Sequence, residues 1–347
     1  MNKDFNLDTL VRENIKAMSA YSSARDEFTD FEDDMVFLDA NENPFETKVN
    51  RYPDPQQLNL KTQLSSVKRV PINQILLGNG SDEVLDLIFR AFCEPNRDNI
   101  ITLPPTYGMY KVLANTNAIE NKEVLLVDDF QLDVNAILAE VDANTKLIFI
   151  CSPNNPTGNA FDYDAIIEII KTTDALVVLD EAYYAYSDRS FLPEISNFSN
   201  LVVLRTISKI GFAGLRLGLL IGSKETITQL NKLRLPYNIN VLTQASANFL
   251  LQDKQGIVKN AEILIDERQR LFEELSFFSQ LKVFPSQTNF LLVHCDDAQS
   301  LHSSLIENGI LVKGFSLDSE LSNFIRISVS EPIENNALLA AIKEYYG

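Results

Sequence analysis

The chain has 347 residues, with 48 acidic against 30 basic side chains and a formal net charge of -18. A surface that acidic repels phosphate backbones and anionic headgroups, which argues against nucleic acid and membrane partners. Hydrophobic residues at 45% and charged residues at 22% describe a globular chain with room for about two domains and a large core.

In chain order, the acidic stretch to about Asp39 reads as a partly helical arm, with Arg25-Asp26-Glu27 and Glu32-Asp33-Asp34 solvated, leading into a short strand at Met35–Leu38. Helical spacing over Leu58–Val67 precedes a strand at Ile75–Leu77, the turn Gly78-Asn79-Gly80 and a helix over Asp82–Phe92. Strand-like runs follow at Ile100–Leu103, Glu123–Val127, Lys146–Ile150, Ala175–Leu179, Leu201–Leu204 and Leu217–Ile221, with amphipathic segments such as Val134–Val141 and Tyr163–Lys171 between them. Short apolar runs alternating with helices predict α/β units around a mainly parallel sheet. After about Pro236 come long helices at Leu242–Gln252 and Val258–Phe278, strands at Asn289–His294, Ile310–Lys313 and Phe324–Val329, and a closing helix at Ile333–Tyr346. That change predicts a smaller α+β domain. The division is an arm with part of the small domain (1–50), a large domain (51–240) and a small domain (241–347).

Cys93, Cys151 and Cys295 are scattered without a C-x-x-C, and His294 and His302 are the only histidines. This usage predicts a reducing compartment and no metal centre. No apolar signal core stands in Met1–Asp8, and the apolar runs are strand-sized, so a cytoplasmic protein is expected.

The chemistry lies just beyond the strands, where ligands bind in α/β sheets. Lys146–Ile150 runs into Cys151-Ser152-Pro153-Asn154-Asn155-Pro156-Thr157-Gly158, Ala175–Leu179 into Asp180-Glu181-Ala182-Tyr183, and Leu201–Leu204 into Arg205-Thr206-Ile207-Ser208-Lys209. Singly, each has an ordinary explanation: Asn155-Pro156 as a turn, Asp180 as a helix cap, Lys209 as a solvated lysine. Three in this order, on three strand ends, converge on one crevice. A dinucleotide fingerprint at Gly78-Asn79-Gly80 fails, because Glu83 takes the third glycine position.

Ser152–Gly158 (SPNNPTG), Asp180–Tyr183 (DEAY), Thr206–Lys209 (TISK) and Gly214–Gly218 (GLRLG) resemble the fold-type I aminotransferases that use pyridoxal 5'-phosphate. Asn41–Pro44 (NENP), Arg51–Asp54 (RYPD) and Gly78–Glu83 (GNGSDE) narrow the resemblance to the histidinol-phosphate aminotransferases, over nearly the whole chain. It implies a large α/β domain with a mainly parallel mixed sheet, a smaller α+β domain and a homodimer.

The resemblance also implies roles. Lys209 forms the Schiff base with the cofactor aldehyde and then moves the substrate's α-proton. Asp180 faces the pyridine nitrogen, Asn155 and Tyr183 the phenolic oxygen, and Tyr107 the ring. The helix opened by Gly80-Ser81-Asp82 offers free N–H groups to the cofactor phosphate, with Thr206, Ser208 and Arg216 beside it. Tyr52 reaches the phosphate of the neighbouring subunit; packing beneath the Pro53-Asp54-Pro55 turn is an alternative reading of that residue, ranked just behind. Arg326, a lone cation in an apolar strand, should face a substrate anion. Lys313 stands where the family carries an arginine near the substrate phosphate, keeping charge without bidentate geometry. Tyr21 and Asn41 are expected at the substrate, as is Asn155.

The reaction implied is transamination between L-histidinol phosphate and 2-oxoglutarate. The rivals are an O-phosphothreonine decarboxylase, an aromatic or broad-specificity amino acid aminotransferase, and a non-enzymatic cofactor-binding regulator. The last needs a basic DNA-binding module, which the acidic stretch before Met35 does not offer.

Overall fold

A computed structural model describes residues 5–22, 25 and 36–347. Seven strands form the first sheet: β1 (Ile75–Asn79), β2 (Asn99–Thr102), β3 (Glu120–Glu123), β4 (Thr145–Cys151), β5 (Leu176–Asp180), β6 (Leu201–Thr206) and β7 (Leu217–Ile221). Their order is β1-β7-β6-β5-β4-β2-β3. The pairs β2–β3, β2–β4, β4–β5 and β5–β6 are parallel, and β7 alone runs against both its neighbours. The sheet is therefore mixed but mainly parallel, as its near-continuous apolar strands require.

Those strands are apolar at successive positions because helices cover both faces. Ile75, Leu77, Val177, Leu179 and Val203 point into one core. Leu76, Val178, Val202 and Leu204, their immediate neighbours, point into the other. The amphipathic helix Ser81–Phe92 buries Val84, Leu85, Ile88, Phe89 and Phe92 in the second core. Leu10, Val11 and Ile15, from the start of the chain, pack there too.

The second sheet has β8 (Lys282–Val283), β9 (Phe290–His294), β10 (Lys313–Gly314) and β11 (Phe324–Ser328), in the order β10-β11-β9-β8 with every pair antiparallel. Helices Lys254–Ser276, Ala298–Glu307 and Pro332–Tyr346 share a separate apolar core with it. No helix among the described residues is long and apolar enough to cross a membrane.

Three predicted strands differ from the observed ones. The strand expected at Glu123–Val127 lies earlier, at Glu120–Glu123. It is the edge of the sheet, where polar side chains are tolerated, so apolar content misplaces it. The apolar run still follows the sheet for a few residues, Val124 N–H donating to Thr102 O at 3.0 Å and Leu126 N–H to Pro104 O at 2.8 Å. Of Ile310–Lys313, only Lys313 joins a ladder. Residues 36–38 form no strand; Met35, the acidic Glu32-Asp33-Asp34 and the Asp26-Glu27 pair lie outside the described residues.

Candidate active site

The strand ends meet where the sequence placed its chemistry. β4, β5 and β6 are parallel, so Cys151, Asp180 and Thr206 end on one edge of the sheet. β7 is antiparallel, so the residue before it, Arg216, starts from that same edge. β1 leads through Gly80 (φ 86°) into the helix Ser81–Phe92. A Cβ on Gly218 would lie 2.3 Å from Ser81 N and 2.5 Å from Gly80 C, so only glycine lets β7 pass so near that helix start.

One cleft is lined by Ser81, Asp82, Tyr107, Asn155, Asp180 and Tyr183, with Thr206, Ser208, Lys209 and Arg216 completing it. Asp180 is buried at its floor. Its Oδ2 accepts from Tyr110 Oη at 2.7 Å and its Oδ1 from Ala182 N–H at 3.0 Å. Burial pushes the carboxyl up from an ordinary 3.8 to about 6, with those two donors working against the rise.

Lys209 lies in the short turn Ser208–Ile210 after β6. Burial drives its ammonium toward the neutral amine, and the nearby guanidinium groups of Arg326 and Arg216 add to the effect. Its Nζ lies 5.7 Å from the centre of the Tyr183 ring. Tyr183 is buried and packs edge-on against Phe290 at 5.2 Å.

At the other end, the first turn of helix Ser81–Phe92 has no side-chain cap, which leaves its N–H groups facing the cleft. Arg216 reaches this end; a Cβ on Gly80 would sit 2.7 Å from its Nη2. Asp82 accepts from Tyr107 Oη at 3.0 Å and stands 4.0 Å from Arg216 Nη2. Its carboxylate thus fixes the Tyr107 ring instead of capping the helix. Thr206 Oγ1 donates to Ser208 Oγ at 2.9 Å, which orients the turn that carries Lys209.

The second sheet contributes Arg326. It faces the cleft from β11, donates to Asn155 Oδ1 and lies 5.0 Å over the Phe290 ring. Lys313 is directly opposite Arg326 in the β10–β11 ladder, exposed, with its Nζ 5.8 Å from the Phe315 ring centre. Like charges across a strand pair repel, so this edge is suited to an anion.

Three expected residues lie away from this lining. Tyr21 is exposed and is not part of this lining. Asn41 and Tyr52 line a separate surface hollow, where the Tyr52 ring stacks on Tyr237 at 4.5 Å. Tyr110 and Cys151 were not singled out by the sequence. The signal for Tyr110 was its place three residues after Tyr107, one helical turn on.

The donor set defines what fits. The Asp180 carboxylate has no ion pair among the described residues and suits a protonated ring nitrogen. Tyr107 offers an aromatic face, Lys209 an amine whose pKa burial lowers, and the helix start with Arg216 an anion site. A flat, phosphorylated heteroaromatic aldehyde meets each of them.

The family model described as aminotransferase class I and II matches residues 35–342. A histidinol-phosphate aminotransferase of Flavobacterium psychrophilum is 51% identical, over 98% of this chain and 99% of that relative. One from Flavobacterium johnsoniae is 49% identical, over 98% of each. Among solved structures, histidinol-phosphate aminotransferase from Sinorhizobium meliloti in complex with pyridoxal-5'-phosphate is similar with a TM-score of 0.77 and 26% identity, covering 86% of this chain and 83% of that one.

Proposed function

The chain belongs to the aminotransferase class I and II family, and from that premise we propose that it is a histidinol-phosphate transaminase dependent on pyridoxal 5'-phosphate. It moves an amino group between L-histidinol phosphate and 2-oxoglutarate, giving imidazole-acetol phosphate and L-glutamate. The observation that carries the reading is full-length similarity at 51% identity to a chain of that name, combined with a lysine that burial shifts toward the neutral amine, beside a buried carboxylate.

When bound, the cofactor supplies a ring that accepts negative charge from the substrate's α-carbon. Lys209 Nζ would be the amine that holds it and, as the free base, would take up and carry the substrate's α-proton. Asp180 keeps the ring nitrogen protonated, so that charge has somewhere to go. Asn155 and Tyr183 hold the phenolic oxygen, and Tyr107 covers the ring. The Gly80-Ser81-Asp82 backbone, Thr206, Ser208 and Arg216 retain the phosphate.

Arg326 binds the substrate carboxylate or phosphate, and Lys313 adds charge for the phosphate. Tyr21 and Asn41 belong to the closing side of the substrate pocket. A homodimer is part of the same reading. Tyr52, half-exposed and outside its own cleft, completes the partner's phosphate site. So is a division near residue 240 between a cofactor-holding unit and a unit that closes on substrate. The scattered, unpaired cysteines support a cytoplasmic location.

The purified protein, given cofactor, glutamate and imidazole-acetol phosphate, should form histidinol phosphate. Absence of turnover at saturating cofactor overturns the substrate assignment. Carbon dioxide release from O-phosphothreonine without a keto acid would replace it with the decarboxylase.

A further inference from the structure

Tyr110 has no part in the roles above, yet it makes the shortest contact to the Asp180 carboxylate. It is fully buried. Its ring stacks on Phe149 at 4.7 Å and 18°, and meets Tyr107 edge-on at 5.6 Å. This packing sets the hydroxyl between the Cys151 thiol and Asp180 Oδ2, to which it donates at 2.7 Å. The other oxygen is met by Ala182 N–H at 3.0 Å. The carboxylate is thus gripped by one donor per oxygen, from two separate elements.

The charged surroundings of Asp180 make that grip matter. Asp82, from helix Ser81–Phe92, and Glu181, the next residue, both disfavour its ionisation. Cys151, Tyr107 and Tyr183 also face it. Glu181 is spent on Arg205, 2.7 Å away. Lys209 is the cation whose charge Asp180 supports, and in the reading above it works as a neutral amine. A buried carboxylate in such company stays ionised through hydrogen bonds.

We propose that Tyr110 is a positioning residue for Asp180, its hydroxyl aiming the carboxylate and holding it ionised for the pyridine nitrogen of the cofactor. This rests on the aminotransferase reading.

The test is uptake of pyridoxal phosphate by apoprotein between about pH 5 and 8, wild type beside Tyr110→Phe, read as the ratio of dissociation constants. The ligand's own ionisations cancel in that ratio. With both carboxylates ionised at the alkaline end the ratio stays close to one. On the acid side it rises by roughly tenfold or more, because a lost hydrogen bond to a charged group leaves Asp180 protonated at higher pH. Phe149→Leu disturbs the same stack but keeps the phenol, and gives a ratio independent of pH.

Replacing Tyr110 alone by 3-fluorotyrosine, a stronger donor of nearly the same shape, moves the acid limb the opposite way; that measurement decides if Tyr110→Phe does not fold. A flat ratio for Tyr110→Phe, or an unmoved limb for the fluorinated protein, overturns the inference and leaves the functional reading standing. Wild-type apoprotein that takes up no pyridoxal phosphate overturns both.

Discussion

Asp180 shows how a functional group strains the protein that carries it. Its carboxyl titrates near 6 in the folded chain against an ordinary 3.8, so the folded state binds the proton more tightly. Stability from that proton is fully present below about 3.8 and is lost as pH rises through about 6, a difference of about 3 kcal/mol. Apoprotein carrying Asp180→Asn should therefore gain on wild type, in melting temperature, as pH rises from acid to neutral, while losing transamination. A melting difference that does not change with pH would show that another group carries the cost. Lys209→Ala should lower turnover by roughly 10³-fold or more, as expected for removal of a nucleophile and proton carrier, with little change in the urea midpoint. Lys313→Ala should raise KM for histidinol phosphate more than for glutamate. The meeting of Lys209, Asp180 and Asn155 in one cleft was legible in the sequence because they follow three apolar strands in turn, although each singly has an ordinary structural explanation. Tyr110 was not, because a tyrosine in an amphipathic helix reads as core, and its ring is indeed core; only its hydroxyl is not.

At the scale of elements, the site depends on β7 passing close to the start of helix Ser81–Phe92. Gly218→Ala puts a methyl against backbone atoms at 2.3–2.7 Å, which no side-chain rotation relieves. It should cost about 1–3 kcal/mol in urea unfolding and weaken pyridoxal phosphate uptake further still, by moving the helix N–H groups. A variant with normal uptake would mean the helix start does not hold the phosphate. Central strands were readable within a residue or two because burial on both faces writes an unbroken apolar run. β3 was misread for the opposite reason: Glu120-Asn121-Lys122-Glu123 has a partner on one side only, so its composition is that of a surface loop. β10 is two residues long, too short for any periodicity, although its Lys313 was noticed through the family resemblance.

Across the described residues, two sheets supply one cleft: its lining comes from the first sheet and its connections, and the second sheet brings Arg326, with Lys313 opposite it in the ladder. The proposed homodimer predicts complementation. Tyr52→Ala and Lys209→Ala proteins, each nearly inactive alone, should regain measurable activity when mixed and refolded together, since each heterodimer then holds one intact cleft. No recovery, with heterodimers verified by mass, would place Tyr52 outside the neighbour's site. The two-sheet plan was legible from the change in pattern after Pro236. One contact between the sheets' elements was not, because Asn155 and Arg326 are 171 residues apart and nothing local links them. That contact has a consequence for substrate capture. Arg326 donates to the Asn155 amide oxygen, so on the proposed reading a substrate carboxylate taken by Arg326 competes with that neutral acceptor. Simple carboxylates such as acetate should then compete with donor and acceptor alike, because the same guanidinium greets both.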